Sequence, residues 1–285
     1  MRRLYIFTLI VASTLMMSSC TGKNIYIQLY SVRDAIGADF SGTIAKVADA
    51  GYTGVEAASY KDGMFYGMTP EEFKSAIEGV GMKVLSSHAA RPLEADIDST
   101  NWDNVWAWWD TAIDAHKRAG MKYIVTPWMK TPQTLKELKQ YCDYYNQIGE
   151  KCNAAGLKFG YHNHAFEYNE IEGELMYDFM LQNTDPDKVF FQMDVYWTTQ
   201  GGHSPMEYFN KYPNRFELLH IKDEKELGGD DGVMNFDELF QNLDKSGVKH
   251  LIVEVEKYNF DPLESIKMSI DYLLENKHVK ANYSK

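Results

Sequence analysis

Four residues able to ligate a cation close four apolar runs in the second half of this 285-residue chain. Glu167 follows KFGYHNHAF, Asp194 follows KVFFQM, His220 follows RFELL and Glu254 follows KHLIV. The runs read as buried strands, so each ends in a group that is costly to bury without a partner. One divalent cation collecting all four would supply that partner. Other polar and aromatic residues stand at or just past the ends of the remaining runs: Gln28, Tyr30, Glu56, His88, Trp128, His162 and His164. Alternation along a strand puts Gln192 with Asp194, His220 with Lys222, and Glu254 with Glu256 on shared faces.

The elements that must position these residues are marked by a recurring phrase of small residue, glycine, apolar residue and lysine. It occurs as Val80-Gly81-Met82-Lys83, Ala119-Gly120-Met121-Lys122, Ala155-Gly156-Leu157-Lys158 and Ser246-Gly247-Val248-Lys249, with Ala50-Gly51-Tyr52-Thr53 as a degenerate copy. Each copy follows a helical pattern and precedes an apolar run, and glycine suits the left-handed position that ends a helix. Strands are expected near 25–30, 53–57, 83–88, 122–126, 157–163, 188–194, 216–221 and 250–255. Helices are expected near 41–50, 70–80, 101–119, 133–155, 173–182, 204–211, 235–246 and 262–276. Thr69-Pro70-Glu71-Glu72, Thr131-Pro132 and Asn235-Phe236-Asp237-Glu238 carry helix-start chemistry. Strict strand and helix alternation predicts a parallel sheet, and eight units in this length predict an α/β fold closed as a (β/α)₈ TIM barrel. An open doubly wound sheet would carry a glycine-rich loop after the first strand, and Gln28-Leu29-Tyr30-Ser31-Val32-Arg33 is not one.

The first residues read differently. Arg2 and Arg3 precede a short apolar stretch, Ile6 to Met17, and Ser18-Ser19 precede Cys20. This is the pattern of a lipoprotein signal peptide over 1–19, with Cys20 taking lipid and 20–24 as a tether; the bland alternative is an ordinary secretory signal. The barrel is expected over 25–278 and a tail over 279–285. The protein is then exported, periplasmic or anchored at the outer membrane, and meets the membrane through that anchor alone. The formal charge of −12 becomes −14 once the two signal arginines are removed. Such an acidic body argues against nucleic acid as a partner. Cys142 and Cys152 lie ten residues apart on one expected helix, roughly 15 Å along its axis, too far to bridge.

Several segments together resemble the xylose-isomerase-like barrel enzymes, the broad group of sugar phosphate isomerases/epimerases. They are IQLYSVRD, GYTGVE, SSHAA, GYHNHAFEY, FQMDVYW, LLHIKDE and LIVEVEKY, spread over about residues 25 to 278. The resemblance implies a divalent metal held by Glu167, Asp194, His220 and Glu254 on the fifth to eighth strands. His162 and His164 compete with Glu167 for the fifth-strand role, and Glu256 competes with Glu254. Three carboxylates and one imidazole suit Mn²⁺ or Mg²⁺, with Zn²⁺ or Co²⁺ also compatible. Such an ion polarises a sugar carbonyl so that a side-chain base takes the α-proton and an enediolate forms. The acid/base candidates are His164, Glu256, His88 and Lys222. Gln28, Tyr30, Glu56 and His162 are expected to bind substrate, with Trp128 and Trp197 stacking on a sugar face. Trp197 stands where some relatives that epimerise sugars carry a histidine, three residues past the sixth-strand aspartate, and this argues against epimerisation of that kind. Exported relatives with the YHNHAFEY segment resemble enzymes that eliminate from or hydrate 3-keto-sugars, so a small unphosphorylated sugar or glycoside is the expected partner. Two other classes compete: a sugar-binding lipoprotein without catalysis, and a metal-dependent endonuclease of the same superfamily, which the acidic balance and the export signal oppose.

Overall fold

The computed structural model describes residues 22–94 and 96–283. The expected signal peptide and Cys20 lie outside the described residues. Eight parallel strands close into a barrel: β1 (Ile25–Gln28), β2 (Gly54–Ala57), β3 (Lys83–His88), β4 (Tyr123–Thr126), β5 (Lys158–His162), β6 (Val189–Asp194), β7 (Leu218–Ile221) and β8 (His250–Val253). Each pairs with its sequence neighbours, and β1 closes the ring by pairing with both β2 and β8. The outer helices are α1 (Phe40–Ala50), α2 (Pro70–Glu78), α3 (Trp102–Arg118), α4 (Leu135–Ala155), α5 (Met176–Asn183), α6 (Pro205–Lys211), α7 (Phe236–Gln241) and α8 (Pro262–Glu275). The expected (β/α)₈ TIM barrel is therefore the observed fold.

Local chemistry explains the joints. Thr69 and Glu72 form a reciprocal capping box at the start of α2, with Pro70 in the first turn. Gly51 and Gly156 end α1 and α4 in the left-handed conformation, at φ 113° and 82°. Thr131-Pro132 does not start α4; Thr134 does, its hydroxyl accepting the Glu137 N–H. The helix expected over 235–246 breaks after Gln241 and resumes as a 3₁₀ turn at Leu243–Lys245. Cys142 and Cys152 are buried free thiols, as their spacing required.

Two packed layers result. Between barrel and helices lies a large apolar core that includes Trp109, Tyr145, Phe159 and Ile270. Within the barrel a smaller plug of Tyr26, Leu85, Tyr123, Val125, Phe190, Leu218 and Ile252 fills the lower part. Gly160 faces this plug, and a Cβ there would meet the Phe190 ring at 2.5 Å. The inward-facing residues above the plug are polar, and they form the site.

Lys23 and Asn24, in the segment expected as a tether, are fastened to the barrel. The Lys23 ammonium donates to the carbonyls of Leu273, Leu274 and Asn276 at the end of α8, where the helix dipole favours a cation. Asn24 N–H donates to the Ala281 carbonyl. In the expected tail, Val279 is buried and Tyr283 packs on the core.

Candidate active site

At the C-terminal mouth of the barrel, one donor atom each from His162, Asp194, His220 and Glu254 lies within 4.8 Å of every other, and all four residues are buried. His162 and Asp194 end β5 and β6, His220 is the last but one residue of β7, and Glu254 directly follows β8. His162 shares the inward parity of Gly160, and Asp194 that of Phe190 and Gln192.

Asp194 has two jobs. Its Oδ1 accepts the Trp197 N–H at 2.8 Å and caps the short helix Val195–Gln200. Its Oδ2 is buried with no partner, as is Nδ1 of His162. Burial raises the Asp194 pKa to about 7 and pushes His162 well below its usual value, so its imidazole is neutral. An unpartnered buried carboxylate oxygen and an unpartnered buried imidazole nitrogen, on residues whose donor atoms converge this closely, fit a cation.

His220 completes the set. Its Nε2 lies 2.6 Å from Glu56 Oε1 and its Nδ1 lies 3.4 Å from Glu254 Oε2. Burial opposes charge on this ring, but Glu254 and Glu56 outweigh it and raise the pKa to about 10. Lys222 is only 2 % exposed. Its ammonium reaches Glu254 Oε2 at 3.3 Å and Glu256 Oε2 at 2.5 Å, and it stands 5.0 Å over the Trp197 ring. Despite burial, Glu254, Asp194 and Glu256 hold Lys222 protonated. Burial likewise works against Glu254, which Lys222 and His220 keep well below the carboxylate range.

Glu167 stands outside the group. Its Oε1 accepts from Tyr161 O–H at 2.7 Å and its Oε2 from His164 N–H at 2.8 Å, so it fixes the loop after β5 while His162 occupies the fifth-strand place. His162, expected either to compete with Glu167 for this place or to bind substrate, lies in the cluster; the parity it shares with Gly160 along β5 is a signal that could have separated the two. The donor set is then two imidazoles and two carboxylates. That mixture of nitrogen and oxygen donors fits a divalent cation.

Glu56 and Gln28 are fully buried beneath the cluster and form its base. Glu56 accepts from Gln28 Nε2 at 2.9 Å, Ser86 Oγ at 2.6 Å and Gln192 Nε2 at 2.8 Å, besides the His220 contact. Burial raises its pKa, but His88 and His220 outweigh that and hold it anionic. A carboxylate behind a ligating imidazole sets which nitrogen carries the proton. Here Glu56 accepts a hydrogen bond from Nε2–H of His220, which leaves Nδ1 toward Glu254. His88 Nε2 faces Glu56 Oε1 at 3.1 Å and Gln192 Oε1 at 2.8 Å, and its ring stacks on that of His220.

His164 is half-buried at the rim, its Nδ1 without a partner, and burial lowers its pKa to about 4. Trp197 lies 5.9 Å from it, ring to ring, with a buried, unpartnered indole N–H. Glu256 is half-buried against the Lys222 ammonium. Tyr30 and Trp128 are not drawn into the cluster. They are 43 % and 49 % exposed, and the Tyr30 ring packs against Arg33 at 4.4 Å.

The family model of the xylose isomerase-like TIM barrel matches residues 44–276. Inosose dehydratase of Lacticaseibacillus casei is 25% identical over 134 residues, which cover 39% of this chain and 44% of that one. The match thus spans less than half the length of that curated relative. Two crystal structures of sugar phosphate isomerase/epimerases from Parabacteroides distasonis ATCC 8503 are similar throughout. One has a TM-score of 0.83 at 34% identity, covering 91% of this chain and 100% of its own. The other has a TM-score of 0.86 at 31% identity, covering 94% and 99%.

Proposed function

We propose a function on the premise that the chain belongs to the xylose isomerase-like TIM barrel family: it is an enzyme that moves a proton next to a carbonyl of a sugar or related polyol, as in isomerisation, epimerisation or dehydration. His162, Asp194, His220 and Glu254 would hold a divalent cation. That ion, when bound, polarises a carbonyl and lowers the barrier to removing the neighbouring proton. The observation that carries this reading is the buried convergence of His162, Asp194, His220 and Glu254, in which Asp194 Oδ2 and His162 Nδ1 each lack a hydrogen-bond partner.

The remaining roles follow from protonation. His164 is neutral at pH 7, because burial holds it near 4, and its free Nδ1 is suited to accept the substrate proton. Lys222 stays an ammonium and is suited to stabilise negative charge growing on a substrate oxygen. Glu256, hydrogen-bonded to that ammonium, is placed to receive or return a proton beside it. Trp197 offers a ring face and an N–H to orient hydroxyls. The inosose dehydratase similarity supports loss of water as the outcome, and Trp197 in place of a histidine also weighs against epimerisation. The export reading of residues 1–20 favours an unphosphorylated substrate such as a free ketose, an inosose or a 3-keto-glycoside.

The test is elemental analysis of the purified chain followed by turnover assays on those three substrate classes. About one Mn, Zn or Co per chain, lost in His220→Ala and Glu254→Gln, is expected. His164→Ala should keep the metal and lose turnover. A chain that takes up no metal after soaking overturns the enzyme reading in favour of a sugar-binding lipoprotein.

A further inference from the structure

The lysines of the recurring joint phrase share one end of the molecule. Lys83 opens β3 and Lys158 opens β5, while Lys122 and Lys249 directly precede β4 and β8. The Lys83 N–H bonds to the Thr53 carbonyl, that of Lys122 to Leu85, that of Lys158 to Lys122 and that of Lys249 to Glu217. Each lysine is thus laced to the neighbouring strand at the floor of the barrel, the face opposite the mouth. β3, β4 and β5 are adjacent, and paired strands lie only about 4.8 Å apart. The side chains also converge: His250, in the barrel floor against Tyr26 and Tyr123, is pushed down to about 4 by burial and then by the ammonium groups of Lys122, Lys83 and Lys249.

Some of this charge is neutralised. Lys158 pairs with Glu217 and Lys280 with Asp244. Lys83 and Lys122 are exposed and have no carboxylate partner among the described residues. The mouth end has the opposite sign. Its loops carry the triplets Glu94, Asp96, Asp98 and Glu170, Glu172, Glu174. A chain of net charge −12 is therefore polarised along the barrel axis, basic at the floor and acidic at the mouth.

A lipid on Cys20 would tether the chain at the same floor. Lys23 and Asn24 are bound to the end of α8 and to Ala281. Cys20 is three residues earlier, a reach of at most about 10 Å. We propose that the barrel floor is a docking surface for anionic lipid headgroups, so that the anchored protein lies floor-down on its membrane with the mouth facing away. The orientation rests on the lipoprotein reading of Cys20; the lipid affinity of the floor does not. Attraction at the floor and repulsion at the acidic mouth act in the same direction.

The test uses the chain from residue 20 with Cys20→Ser, sedimented with vesicles of phosphatidylcholine alone or mixed with phosphatidylglycerol. Binding is expected only to the mixed vesicles and should fall as salt is raised. Lys83→Gln with Lys122→Gln should weaken it by about 25-fold, from roughly fivefold per lysine near a charged surface. Lys61→Gln with Lys136→Gln, away from the floor, should leave it unchanged. Thermal melting of both double variants confirms that each is folded. Equal binding by the floor variant, binding to neutral vesicles alone, or no binding by the parent chain overturns the proposal. Mass spectrometry of the membrane-expressed natural chain reads the anchor separately. An unlipidated Cys20 with phosphatidylglycerol binding intact removes the anchor and sustains the docking surface.

Discussion

Cation binding should expel protons in a number that the site geometry specifies. In the metal-free protein His220 is held between Glu56 and Glu254 with its pKa raised to about 10, so at pH 8 it carries a second ring proton. Ligation needs the neutral ring. Asp194, near 7, is mostly ionised at pH 8, Glu254 is ionised, and His162 is already neutral. Binding at pH 8 therefore releases about one proton, from His220, and affinity rises about tenfold per pH unit, ~1.4 kcal/mol. At pH 6 Asp194 also holds its proton, and the release approaches about two. Both groups bind more protons without the ion than with it, so acid weakens binding throughout this range. Calorimetric titration with Mn²⁺ in pairs of buffers of different ionisation enthalpy counts the protons. Mn²⁺ is preferred to Zn²⁺ because a zinc-bound water can itself ionise near neutral pH. His220→Ala should abolish the release at pH 8. Tight binding at pH 8 with no proton released would show that His220 is not a ligand and refute the assignment.

Other outcomes follow from neighbouring features. Glu56→Gln should weaken Mn²⁺ binding by about 10–100-fold, because the carboxylate behind His220 is lost; equilibrium dialysis measures it. Gly160→Ala places a methyl into the Phe190 ring and should cost ~1–3 kcal/mol in denaturant unfolding, with Phe190→Leu in the same chain restoring most of it. His116 is fully buried between the Ala112 carbonyl and Ser87 Oγ, and burial holds it near 4 against an ordinary 6.5. Because its folded pKa is lowered, it penalises the fold only as pH drops below 6.5 toward 4. Between pH 7.5 and 5 that penalty is about 2 kcal/mol, and His116→Gln should remove that share of the acid destabilisation measured by denaturant titration.

The eightfold alternation, the glycine joints and three of the four clustered donors were legible in the sequence. Local rules suffice for these: a strand's parity and its length place Asp194, His220 and Glu254 at one end of one face. The strand-start lysines were legible too, though only the closed barrel turns their repetition into a single charged floor. Other features needed the tertiary structure. Glu167 lies beyond the end of β5 in a 3₁₀ turn, where alternation no longer applies, and its carboxylate turns to Tyr161 and His164 while His162 enters the cluster. His88 faces inward because β3 carries one extra residue, Leu85, opposite the step from Val55 to Glu56. That bulge shifts the parity of all that follows, bringing Ser86 and His88 onto Glu56 and sending Ser87 outward to His116. Glu56 reads in the sequence as a strand-end acid like the others. Only closure of the barrel, which brings β1, β3, β6 and β7 around it, makes it the buried anion beneath the site. Which partners a buried charge finds is a non-local property, set by strands that the chain separates by more than a hundred residues.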